Sequence, residues 1–202
     1  MRQIAKREDI RDLILDAVDV LLAKYGYKKM TMDDVALQVG IGKGTIYLHF
    51  PSKEELILSH IDCIAGRVAS RLREIAYSPS PHAERLWEML SARVLIRFDS
   101  VSHYTQSLND LLSSVRPGLL ARREAYFKTE AEIFETVLRE GAEAGSLDCP
   151  NPKAASLALI QSTNSLLPFS LSPRELGSRE ALAAGIGAVA DILVKGLTAH
   201  DK

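Results

Sequence analysis

The stretch Gly40-Ile41-Gly42-Lys43-Gly44-Thr45-Ile46-Tyr47-Leu48-His49-Phe50-Pro51-Ser52-Lys53 decides what kind of fold this chain adopts. Before it, Thr31 with Asp34 three residues on forms a capping-box pattern that opens a short helix from Thr31 to about Val39. Gly40-Ile41-Gly42 breaks that helix, and Lys43 to Phe50 starts another, with Ile41, Ile46 and Phe50 spaced to bury against neighbouring helices. Two short helices joined by a glycine-containing turn make a helix-turn-helix, whose second helix fits a DNA major groove. The chemistry sharpens that geometry, because the stretch holds cations, hydroxyls and small residues and no acid. Lys43, Gly44, Thr45, Tyr47 and Leu48 share the face left open. Gly44 permits close backbone approach, Thr45 bonds a base or phosphate, and Leu48 suits a thymine methyl. Lys43, Tyr47 and His49 suit phosphate oxygens, which fix register rather than read sequence. The helix N-termini at Thr31 and Lys53 add amide donors for further phosphates. A lysine at a helix start opposes the dipole, and an anion waiting there accounts for both Lys43 and Lys53.

Working outward, Ile10, Leu13, Ile14, Ala17, Val20 and Leu21 recur at helical spacing and predict an amphipathic first helix from Asp9 to Tyr25, with Gly26 as its left-handed cap. Pro51 ends the third helix. Ser52 with Glu55 opens a long fourth one, through Leu56, Ile57, Ile61, Ile64, Val68 and Leu72 to about Ala76. Pro79 and Pro81 mark a linker. Helices follow at about 82–98, 104–114, 117–144, 151–169 and 178–199, separated by Arg116-Pro117-Gly118, by Gly145 to Pro152 and by Leu171 to Gly177. The expected fold is all-α, with about nine helices. Residues 1–51 form a three-helix helix-turn-helix domain and 52–202 a larger helical domain, joined by the connecting helix 52–76.

The segment from Gly26 through Thr31-Met-Asp-Asp-Val-Ala36, Gly40-Ile-Gly-Lys-Gly-Thr-Ile-Tyr-Leu-His-Phe50 and Ser52-Lys-Glu-Glu-Leu56 resembles the DNA-binding signature of the TetR (tetracycline repressor-like) family over the first quarter of the chain. Gly42 departs from it, standing where that family often has Ser or Thr as N-cap; glycine is an acceptable cap. The resemblance implies a homodimeric, ligand-responsive transcriptional regulator on double-stranded operator DNA, with a divergent C-terminal domain for a small-molecule effector. It implies DNA contacts at Thr31, Lys43, Thr45, Tyr47, His49 and Lys53. An N-terminal arm with Arg2, Lys6 and Arg7 is a further candidate.

Composition agrees with a folded regulator. Of 202 residues, 47% are hydrophobic and 25% charged, with net charge −1, so any basic footprint must be local. Residues 1–53 carry nine Lys and Arg against seven Asp and Glu, and 54–202 carry sixteen against nineteen. No apolar run approaches the roughly 18 residues of a membrane span and no secretory pattern opens the chain, which places it in the cytoplasm. Cys63 and Cys149 lack ligand spacing, so no metal or cofactor is expected.

The final helix is apolar or small over most of its circumference from Ala181 to Ala190. With the resemblance, this points to a dimer interface through helices 151–169 and 178–199. Trp87, Phe98, Tyr104, Tyr126, Phe127 and Phe169 are candidate apolar walls of an effector pocket. Arg97, His103, Asn109, Gln161 and Asn164 are its polar candidates. Two alternatives stand beside the regulator: a dimeric helical adaptor without DNA binding, and a helical enzyme. For the enzyme, Glu130, Glu132, Glu135, Glu140 and Glu143 cluster on one helix, but no Glu-x-x-His pair accompanies them and no catalytic motif occurs, so no catalytic residue is assigned.

Overall fold

Capping chemistry places the short N-terminal helices where the sequence predicts them. The computed structural model describes residues 7–104, 108–168, 175 and 177–198. Among these residues lie eight α-helices and one 3₁₀ turn: α1 (Arg7–Lys29), α2 (Met32–Val39), α3 (Lys43–His49), α4 (Lys53–Ala76), α5 (His82–Val101), α6 (Leu108–Glu143), α7 (Pro152–Ser162), the turn Asn164–Leu166, and α8 (Arg179–Lys195). The all-α class holds, and an isolated bridge between Leu147 and Thr198 is the sole strand-like pairing among the described residues. None of these helices is long and apolar enough to cross a membrane.

Gly26 takes a positive φ of 70° with ψ 168° and interrupts the helix after Tyr25, as expected, and a further helical turn follows it to Lys29. Three expectations need correction. On α1 the buried face is Ile14, Leu15, Ala17, Val18, Leu21 and Leu22, whereas Leu13 and Val20 are exposed. The helices expected at 104–114 and 117–144 are joined in α6, which runs through Pro117. Proline removes one backbone donor, but Leu111, Val115 and Leu119 form one buried face straight across it. Gly118 is there for packing rather than as a breaker, because a Cβ at this position would lie 2.5 Å from Leu58 Cδ1. Lastly, α7 ends at Ser162 and α8 at Lys195, short of the expected 169 and 199.

The chain packs as two units, Met1–Cys63 with His103–Ala121, and Ile64–Ser102 with Arg122–Lys202. Helices α4 and α6 each contribute residues to both. This partition differs from the 1–51 and 52–202 expected from the sequence. The first unit buries the α1 face with Met30, Val35, Ile46, Phe50, Leu56 and Ile57. The second is built on Leu72, Leu86, Met89, Phe134, Leu138 and Leu159, with a smaller apolar cluster of Val94, Phe98, Leu167, Leu182 and Ile186.

Candidate nucleic-acid interface and effector site

Local capping builds the helix-turn-helix. The Thr31 backbone N–H and hydroxyl both donate to Asp34 Oδ2, at 2.8 and 2.7 Å, while the Asp34 N–H donates to Thr31 Oγ1 at 3.2 Å. These bonds hold the exposed Asp34 carboxyl below the usual range. Gly40 closes α2 with φ 75° and ψ 33°, a conformation that costs a side chain-bearing residue about 1–2 kcal/mol. Its N–H reaches the Ala36 carbonyl, and the chain turns directly into α3.

On α3, Ile46 is fully buried, as is Phe50 just after it, and these two fix the helix in place. Lys43, Gly44, Tyr47 and Leu48 are exposed, Leu48 at 75%, and Thr45 and His49 are half-buried. The DNA candidates of α3 therefore share its outer side, while Ile41 is half-buried rather than in the core. Lys43 Nζ pairs with Asp33 Oδ2 at 2.7 Å, which raises its pKa, and the pair is exposed to solvent. Lys53 behaves differently. Its ammonium donates to the Tyr27 carbonyl and lies 4.2 Å from the centroid of the Tyr27 ring, and partial burial lowers its pKa. Sequence inspection missed Leu37, which is 83% exposed on α2. The signal was available, since Met32, Val35 and Ala36 already form the buried side of that helix. The arm residues Arg2 and Lys6, the side chain of Arg7, and Phe169 lie outside the described residues, as does the side chain of Asn109.

The effector candidates divide. Phe98 and Phe127 belong to the smaller apolar cluster of the second unit, and Asn164 joins them through Arg93, whose guanidinium lies 5.2 Å from the Phe127 ring centroid. Tyr126 is half-buried on α6, one residue from Phe127. Trp87 donates to Asp191 Oδ1 of α8 at 2.8 Å, and Gln161 is exposed on α7. Tyr104 and His103 are not with them. They fall in the first unit, where the buried Tyr104 hydroxyl donates to Asp19 and lies 3.0 Å from His60 Nε2, and His103 Nε2 lies 3.4 Å from Asp19 Oδ2. The His60 hydrogen bond, with those of the other partners, takes Asp19 down to about 2 against the cost of its burial.

Arg93, Glu130 and Arg97 form a buried ionic group that the sequence only partly announced, through Arg97 as a pocket candidate and Glu130 as one of a cluster of glutamates on one helix. Arg93 donates from Nε to Glu130 Oε2 at 2.7 Å, from Nη2 to Asn164 Oδ1 at 2.8 Å, and from Nη1 to Thr163. Arg97 donates to the other Glu130 oxygen and to the Arg93 carbonyl. Burial pushes Arg93 down to about 10, against the pull of Glu130, and it stays charged at neutral pH. The missed signal is the α5 pattern: Leu86, Met89 and Leu90 define a core face that continues to positions 93 and 97. No group of His, Cys, Asp and Glu among the described residues is arranged to hold a metal ion.

Residues 14–59 match the family profile "Bacterial regulatory proteins, tetR family". The chain is 26% identical over 156 residues to the HTH-type transcriptional regulator YhgD of Bacillus subtilis, covering 76% of this chain and 80% of that protein. It is 27% identical over 142 residues to the HTH-type transcriptional repressor KstR2 of Mycobacterium tuberculosis, covering 67% and 68%. The fold is that of a solved transcriptional regulator from Cytophaga hutchinsonii, at TM-score 0.78 and 23% identity over 93% of this chain and 97% of that one. The capped α2, the glycine turn and the outward side of α3 thus coincide with the matched segment, and over residues 14–59 the chain is similar to the tetR family of bacterial regulatory proteins.

Proposed function

We propose that the chain is a ligand-responsive DNA-binding transcriptional regulator, a repressor that binds a palindromic operator as a homodimer and is released by a small-molecule effector. The observation that carries this is the outer side of α3. Lys43, Gly44, Thr45, Tyr47 and Leu48 lie on an acid-free helix whose opposite side is locked down by Ile46. Thr45, Leu48 and the bare backbone at Gly44 read base edges, while Lys43, Tyr47, His49, Thr31 and Lys53 hold phosphates. In the dimer two such helices meet successive major grooves about 34 Å apart, or wider on a longer operator.

Dimerisation runs through α7 and α8, where Leu157 and Ile192 are exposed at 46% and 74% and Ala181, Ala184, Gly185 and Ala188 add a small-residue surface. The connecting helix α4 follows α3 after only Phe50, Pro51 and Ser52, so an effector that shifts α4 changes the spacing of the recognition helices. The effector must bind the two spacings unequally, with a coupling of about 1–3 kcal/mol. Selection of random duplex DNA on the purified protein, repeated at two salt concentrations, tests the reading. A palindromic motif bound with a steep salt dependence is expected. Absence of enrichment after removal of any co-purified small molecule would leave the adaptor.

A further inference from the structure

Arg93 and Arg97 stand one helical turn apart on the core face of α5, and between them they have one buried counterion, Glu130. A third cation adds to the excess. The Arg123 guanidinium lies 4.8 Å from the centroid of the Phe127 ring whose other cationic neighbour is Arg93, and it depresses Arg93 electrostatically. Among the described residues, Arg93 and Arg97 thus share the Glu130 carboxylate, and a third guanidinium, that of Arg123, stands at the same aromatic ring as Arg93. Arg123 Nε is moreover buried without a hydrogen-bond partner. A purely structural ion pair has no use for this surplus, because an uncompensated buried charge costs several kcal/mol. Leaving a donor unsatisfied adds to that cost.

The surroundings say what completes the site. Phe127, Arg123 and Asn164 are each half-buried, whereas Arg93 and Arg97 are buried. On the same helix, Val94 and Phe98 belong to an apolar cluster with Leu167, Leu182 and Ile186. Cationic donors thus adjoin a hydrocarbon wall. Guanidinium groups present planar, paired donors that match carboxylate and phosphate oxygens.

We propose that the second unit binds an amphiphilic anion, an apolar body bearing one carboxylate or phosphate, with the anionic head received by Arg123 beside Phe127 and Asn164, where the buried Arg93 adds its positive charge, and the body laid against the Phe98 cluster. This rests on the effector reading above and gives that effector its chemical class.

The test uses octanoate, octyl phosphate and octanol, which share a chain and differ in the head, and follows the melting temperature and calorimetric affinity of the full-length protein at pH 7. Saturable stabilisation by at least one anion and not by octanol is expected, and which anion acts identifies the head. Arg123→Gln, half-buried and outside the Arg93–Glu130 pair, weakens that anion about tenfold or more, whereas Arg123→Lys retains part of the binding. Equal response to octanol, no response to either anion, or wild-type affinity in Arg123→Gln would overturn the site. Operator release is measured on the same samples. An anion that binds without releasing operator sinks the effector reading and leaves the site standing. An uncharged ligand that releases operator from wild type and Arg123→Gln alike does the reverse.

Discussion

Lys43 and Thr45 lie two positions apart on α3 and serve different parts of the proposed DNA contact. Lys43→Ala is expected to weaken binding across all sequences and to lower the salt slope by about 0.9 unit, the signature of one phosphate contact. Thr45→Ala is expected to relax preference at one base pair by about 1–3 kcal/mol with the slope unchanged. Titrations of the selected operator and a scrambled duplex at several salt concentrations read both; a sequence-selective loss in Lys43→Ala would reverse the two roles. Thr31 needs a different control, because its hydroxyl is committed to the α2 cap. Thr31→Ala should cost about 0.5–2 kcal/mol in unfolding without DNA present. The cap also depends on pH. Asp34 titrates below its ordinary 3.8 because Thr31 bonds its carboxylate, so the contribution is present above that value and disappears as acid protonates the folded form.

At the scale of elements, the first unit ties α1 to α4 and to the chain after α5 through Asp19, His60 and Tyr104. Asp19 has a folded pKa of about 2 against 3.8, so its stabilisation is complete above about pH 4 and lost as pH falls through 2. The carboxylate is 41% exposed, and solvent screening reduces the contribution to about 1 kcal/mol. Urea unfolding of Asp19→Asn should show that loss at pH 6 and a vanishing difference near pH 2; a constant difference would remove the ion pairing from the account. Helix limits were legible wherever capping chemistry decides them, as at Thr31, Gly40 and Ser52. Buried faces were less so. Leu13 and Val20 fit a helical stripe as well as Leu15 and Val18 do, and only the neighbouring helices select which is covered. Pro117 misled because its local cost of about 3 kcal/mol was weighed without the apolar face that continues through it. Tyr104 was grouped with the effector candidates by its aromatic character, but its hydroxyl is held by groups far away in sequence. The exposed side of α3 was readable because Lys43, Gly44 and Tyr47 flank the single buried Ile46 in a pattern unlike a core. The Arg93 group was not, since charge on a buried face contradicts the usual pattern.

For the whole molecule, the testable consequence is assembly. Ile192→Asp alters a residue 74% exposed in the single chain, so the fold should tolerate it while the proposed α7–α8 interface does not. Sedimentation should show a shift toward monomer, and operator affinity should fall by about tenfold or more as the paired half-sites lose their avidity. A variant that stays dimeric would move the interface elsewhere. The packing of the first unit bears on modularity. Its core draws on Leu111, Val115 and Leu119 of α6, and Gly118 admits Leu58, so the unit is assembled from two separate stretches of chain. A recombination event that exchanges only residues 1–51 between relatives would pair a foreign DNA-reading head with an unmatched piece of α6. Working chimaeras should therefore carry residues 103–121 along with the head, and reading heads should diversify in nature by surface substitutions on α3 more readily than by exchange of the whole N-terminal segment.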